Sequence, residues 1–172
     1  MAKLDSFIAR KTEALAARRA EWDGHPEKST LTVTASAQVA GITGARPVTM
    51  GKFFLVTDSA PGLAGHALGP TSPELMLGAL ASCIAHTYLI EASLKNIPLD
   101  SVEIAVSGQI DYGPIVGLPA AEPARFHTIT YRALVESPAD PAVVEAMHRA
   151  VEETCPVLNT LRHPVDVRRV TE

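Results

Sequence analysis

Cys83 and Cys155 are the two thiols in a chain of 172 residues. A thiolate is a nucleophile, and a second thiol can resolve what the first one forms, so the pair reads as a reactive thiol with a resolving partner. The competing reading is two inert cysteines, because unpaired Cys is among the most buried residue types. Their separation of 72 positions carries neither a metal-ligand nor a Cys-x-x-Cys signature. Cys83 falls in the middle of a long apolar run, and Cys155 directly precedes Pro156. If Pro156 opens a new turn, Cys155 is its N-cap, where the partial positive charge of backbone N–H groups favours a thiolate. His86 follows Cys83 by one helical turn, so a Cys–His contact is in reach. The same His would equally fill a polar notch in a core. His25, His66, His127, His148 and His163 are scattered. Two Cys and one His lack the fourth ligand of a closed zinc site, so no metal is expected.

These residues need elements to position them. The Pro70-Thr71-Ser72-Pro73-Glu74 start signal predicts a helix with Ser72 as N-cap and Pro73 at the first helical position, running to about Lys95 before Asn96 and Pro98. From Leu75 to Ile90 it is apolar or small on every face, which predicts burial all round. A helix of roughly 36 Å is hard for so small a domain to surround, so a second chain is expected over part of it. Asp140 caps and Pro141 opens a later helix to about Thr154, with Val144, Met147 and Val151 as its buried stripe and Cys155 continuing it.

Residues 4–23 read as an amphipathic helix, with Leu4, Ile8, Leu15 and Trp22 near one stripe. Alternation predicts strands over 30–39, Val48–Thr57, Ser101–Asp111 and Phe126–Glu136, and a short last strand over Pro164–Val170. This order is α+β and mostly antiparallel. The division expected is a helical arm over residues 1–26 and one domain over 27–172.

Composition removes several classes of function. Apolar residues make up 47 % and charged residues 20 %, so the chain is neither disordered nor fibrous. Scaling of surface with mass allows about two thirds of the unfolded surface to be buried, enough for a core without staples. A net charge of −4 leaves no electrostatic footprint for nucleic acid or an anionic membrane. The longest uncharged, apolar stretch, Leu75 to Ile90 at 16 residues, is short for a membrane span. The first apolar pair, Phe7 and Ile8, is followed at once by charge, which argues against a signal peptide. The expectation is a soluble protein in a reducing, cytoplasmic compartment.

Gly69-Pro70-Thr71-Ser72-Pro73-Glu74 leading to Ala81-Ser82-Cys83, with Glu153-Thr154-Cys155-Pro156-Val157-Leu158-Asn159-Thr160-Leu161 much later, resembles the OsmC family of osmotically inducible and organic-hydroperoxide-resistance proteins. The resemblance runs over roughly residues 30–170 in element order and motif. It implies an intertwined homodimer whose mostly antiparallel strands wrap long buried central helices. It also implies a thiol-dependent peroxidase that needs no metal or organic cofactor. Cys83 then matches the thiolate that attacks an organic hydroperoxide, and Cys155 the thiol that resolves the sulfenic acid to a disulfide. An external thiol reductant completes the cycle. In the hydroperoxidase branch a Glu ten residues before the Cys holds an activating Arg. Here Glu74 precedes Cys83 by nine, on the opposite helix face, and equally serves as a first-turn carboxylate. Thr43-Gly44-Ala45-Arg46 is the match to the loop that carries the activating Arg, so Arg46 takes that role by resemblance, with Arg125 as an unmatched competitor. The alternative is a dimer of this family that binds an apolar ligand in an interface cavity and keeps its thiols unreactive.

Overall fold

The computed structural model describes residues 2–163 and 165–171. Its helices are α1 (Asp5–Trp22), α2 (Ser72–Lys95), α3 (Pro141–Thr154) and α4 (Pro156–Arg162). Its strands are β1 (Ala35–Ala37), β2 (Arg46–Met50), β3 (Phe53–Thr57), β4 (Ser101–Ile110) and β5 (Phe126–Glu136). Every pairing among them is antiparallel, in the sheets β1-β2-β3 and β4-β5. The α+β class read from the sequence is the class observed. The described chain divides into two compact units, Met1–Ala16 with Ala79–Glu172, and Ala17–Gly78.

The larger unit holds the core. Leu80, Ile84, Tyr88 and Ala92 of α2 recur at helical spacing and pack with Met147 and Val151 of α3, with Cys155 just after it, with Leu158 of α4, and with Leu99. Val102, Ile104 and Val106 of β4 and Ile129, Tyr131, Ala133 and Val135 of β5 close it from the sheet side. The first half of α1 packs on the same unit: Leu4 N–H donates to the Leu99 carbonyl at 2.9 Å, and Thr12 Oγ1 donates to the Ser93 carbonyl at 3.0 Å.

Both ends of α2 follow the sequence, with one correction. The N-cap is Thr71 rather than Ser72. Glu74 Oε2 accepts from Thr71 N–H at 2.7 Å and from its hydroxyl at 2.8 Å, while Glu74 N–H reaches Thr71 Oγ1 at 3.4 Å. That reciprocal pair is a capping box, so Ser72 and Pro73 are already helical. At the other end Asn96 takes a left-handed φ of 52°, and Ile97 N–H closes on the Ala92 carbonyl at 2.9 Å. This is a Schellman stop, and Pro98 follows it. Asp140 caps α3 by accepting from Ala142 N–H at 2.8 Å.

Within one chain α2 is not buried on every face. Leu80, Ile84, Thr87, Tyr88, Glu91, Ala92 and Ser93 are buried, whereas Gly78, Ala79, Ser82 and His86 are exposed. By length and composition α2 would suit a membrane span, with a mean hydropathy of 1.4 over its most apolar 18 residues. Its buried face, however, carries Glu91 into a protein core.

The smaller unit departs further from expectation. The single strand expected over Val48–Thr57 is a hairpin, β2 and β3, with Met50 paired to Phe53 across Gly51 and Lys52. Gly51 has a φ of 58°, the left-handed value that a two-residue turn requires and that glycine takes freely. The strand expected over 30–39 shrinks to β1, and its flanking Leu31, Val33 and Val39 stand in solvent. Phe53 and Phe54, adjacent on β3 and therefore on opposite faces, are 66 % and 76 % exposed. Among the described residues the last strand is absent as well. Residues 165–171 are irregular, with Val165, Val167 and Val170 exposed, and Pro164 lies outside the described residues.

Candidate active site

α2 presents Cys83, Thr87 and Glu91 at successive i+4 positions, one polar stripe on a mostly apolar helix. Opposite it, α3 stops at Cys155 and α4 starts at Pro156, so Cys155 is C-cap of one helix and N-cap of the next. Pro156 dictates this elbow, since it has no N–H with which to continue α3. Asn159 stiffens it. Its Nδ2 lies 3.1 Å from the Glu152 carbonyl, 3.1 Å from that of Glu153 and 2.9 Å from that of Cys155.

The two thiols meet across this stripe and elbow. Both are free; Cys155 is fully buried, and Cys83 is half-buried and packed against the core cluster that holds Cys155. Burial pushes the Cys83 thiol above its ordinary value. The Val157 N–H, in the first turn of α4, and the Thr87 hydroxyl pull the other way, and the neighbouring Cys155 raises it further. No cation is among these influences. The Thr87 hydroxyl also donates to the Cys83 carbonyl at 2.8 Å, which fixes the turn that carries the sulfur.

Of the residues singled out in the sequence, Cys83 and Cys155 come together. Arg46 lies in the smaller unit on β2, where its Nη1 donates to the Gly44 carbonyl at 2.9 Å and its charge acts on Asp58. Arg125 is exposed and pairs with Glu122. Glu74 is committed to the capping box, which holds its carboxyl below the usual range. His86 accepts from Lys11 Nζ at 2.9 Å; partial desolvation and that ammonium hold the ring below its ordinary pKa.

Several polar groups that the structure ties into bonds were not singled out from sequence. Glu91, with its side chain 6 % exposed, pairs with Lys95 at 2.8 Å and meets the Thr154 hydroxyl at 3.0 Å. Its signal was a carboxylate among apolar residues, eight after Cys83. Tyr88 is buried, and its hydroxyl bonds His148 Nδ1; burial pushes its pKa up to about 12. Tyr131 donates to Glu152 Oε1 at 2.6 Å, and Arg162 contacts the other oxygen. Asp58, 1 % exposed, accepts from the N–H groups of Ser59, His66 and Leu68 and organises the loop before α2.

Comparison with known proteins follows the same motifs. The family model for OsmC-like protein matches residues 65–169, the span holding both cysteines. Among solved structures, an OsmC-like protein from Mycoplasma pneumoniae superposes with a TM-score of 0.66 at 19 % identity, covering 77 % of this chain and 88 % of that one. An organic hydroperoxide resistance protein OsmC from Legionella pneumophila gives 0.60 at 20 %, covering 80 % and 94 %. An organic hydroperoxide resistance protein from Elizabethkingia anophelis gives 0.59 at 15 %, covering 78 % and 91 %. A comparison with curated proteins gave no match.

Proposed function

This chain belongs to the OsmC-like protein family, and from that premise we propose that it is a thiol-dependent peroxidase for organic hydroperoxides. The observation that carries the reading is the pair of free thiols held as neighbours at a helix elbow. Cys83 thiolate attacks the terminal peroxide oxygen. The O–O bond breaks, and the alkoxide leaves and takes a proton to become an alcohol. Cys83 is then a sulfenic acid, two electrons oxidised. Cys155 attacks that sulfur, the S–O bond breaks, and the oxygen leaves as water. An external dithiol returns both electrons by exchange with the disulfide. Every step uses side chains of this family's fold, with no metal or organic cofactor in the scheme.

The apolar surroundings of Cys83 suit an alkyl group better than hydrogen peroxide. They also disfavour the thiolate, so the reading needs a cation, and Arg46 from either copy of a homodimer is assigned that role. The open small-residue face of α2 and the apolar smaller unit support the dimer. Two free thiols suit a reducing, cytoplasmic compartment. Residues 1–26 act as an arm on the domain formed by 27–172.

One observation favours a second reading, a dimer that binds an apolar ligand and keeps its thiols inert: burial holds the Cys83 thiol above its ordinary pKa. One experiment separates the two. Excess tert-butyl hydroperoxide should convert wild type to an intrachain disulfide by mass spectrometry. Cys83→Ser should consume none. Cys155→Ser should reduce one equivalent and retain one added oxygen on Cys83. Two free thiols in treated wild type would leave the ligand-binding reading in place.

A further inference from the structure

A buried carboxylate costs stability unless it is paired, and Glu91 is paired in a particular way. Its Oε2 takes the ammonium of Lys95, one turn along α2, at 2.8 Å. Its Oε1 is turned across to α3, where the Thr154 hydroxyl lies 3.0 Å away. That hydroxyl also lies 2.7 Å from the Ala150 carbonyl, so its one proton is shared between two acceptors. Lys95 balances the charge, and the second oxygen is left free to join two helices. Thr154 is the residue directly before Cys155, and Glu91 stands two i+4 steps from Cys83 on the stripe that runs through Thr87. Beyond Cys155 the chain is held by Asn159, which bonds the Cys155 carbonyl through both its backbone N–H and its Nδ2. The elbow is therefore fixed to itself on one side and to α2 on the other.

We propose that Glu91 and Thr154 are positioning residues, a tie from α2 to the end of α3 that sets how readily the sulfurs of Cys83 and Cys155 join. This rests on the reading that the two cysteines form a disulfide. It adds that closure depends on a contact remote from either sulfur. Forming the bond moves Cys155 toward Cys83, and the tie limits how far Thr154 can swing away. With the tie cut, the elbow samples open positions, the effective concentration of one thiol at the other falls, and the dithiol gains over the disulfide. A sulfenic acid on Cys83 would also wait longer for Cys155 and meet a second peroxide, giving sulfinic acid.

The test uses the full chain in mixtures of reduced and oxidised glutathione, which need no peroxidase activity. Thr154→Val keeps the shape and removes the hydroxyl, Thr154→Ser restores it, and Glu91→Gln keeps an acceptor in place without the charge. Thr154→Val should shift the dithiol–disulfide equilibrium toward dithiol by about tenfold. Thr154→Ser should return to wild type, and Glu91→Gln should fall between. The melting temperature of the reduced forms separates this from loss of fold, since general loosening lowers it without rescue of the redox equilibrium by Ser. A Thr154→Val protein with the wild-type equilibrium overturns the tie, as does a wild type that forms no Cys83–Cys155 disulfide with oxidised glutathione. A disulfide formed by glutathione but not by organic hydroperoxide overturns the peroxidase reading and leaves the tie standing.

Discussion

A single carboxylate decides the shape of the loop that leads into α2. Asp58 takes three backbone N–H donors, and these bonds hold its carboxyl below its ordinary value of 3.8. A depressed folded pKa adds stability above the unfolded value, and that stability is lost as pH falls through the folded one. Asp58→Asn should therefore lower the melting temperature at pH 7 and leave less acid-dependent loss below pH 4, by thermal melts across that range. For Cys83 the sign is opposite: a raised thiol pKa leaves little thiolate at neutral pH. If Arg46 supplies the missing charge, Arg46→Ala should slow iodoacetamide alkylation of Cys83 at pH 7 by roughly tenfold, one pKa unit, while Arg125→Ala leaves it unchanged. Equal rates in wild type and Arg46→Ala would remove the electrostatic basis of the peroxidase. At this scale the two cysteines were legible because a thiol is rare and its motif is local. Glu91 and Thr154 were not, because they meet across 63 positions of chain, and Asp58 was not, because no short pattern marks a carboxylate that gathers the N–H groups of its own loop.

Helix boundaries were the most legible elements, since caps are written in a few adjacent residues. Pro141–Thr154 came out as read, because Asp140, Pro141 and the Cys155-Pro156 break are unambiguous. The shift from Ser72 to Thr71 at the start of α2 reflects two neighbouring hydroxyls, of which only Thr71 stands three residues before Glu74. Thr71→Ala should cost about 1 kcal/mol in chemical denaturation, the usual loss for an N-cap hydroxyl, and Thr71→Ser should recover most of it. Just before it, a Cβ on Gly69 would fall 1.9 Å from the Val56 carbonyl oxygen, so Gly69→Ala should disrupt the loop more than either cap variant. Strands were less legible. Val48–Thr57 alternates well enough to pass for one strand, and Gly51-Lys52 is not the Asn-Gly or Asp-Gly pair that marks a tight hairpin most plainly. Residues 165–170 have strand composition but pair with no strand among the described residues, and composition alone does not supply a partner.

At the scale of the molecule, α2 explains why burial was over-read. A helix apolar on every face predicts a full coat, and one chain covers part of it. The family reading assigns the remainder to a second copy. The protein should then run near twice its 18.2 kDa chain mass by light scattering at micromolar concentration, and a well-folded monomer would sink that assignment. Phe53 and Phe54 carry the argument into time. Neighbours on a strand look in opposite directions, so covering one face of the β1-β2-β3 sheet leaves the other aromatic ring wet. If a second copy supplies that cover, the sheet cannot finish maturing alone, and the last folding step is an encounter between two molecules. Protection of residues 46–57 against protease during refolding should then follow second-order kinetics, its half-time doubling each time the chain concentration is halved.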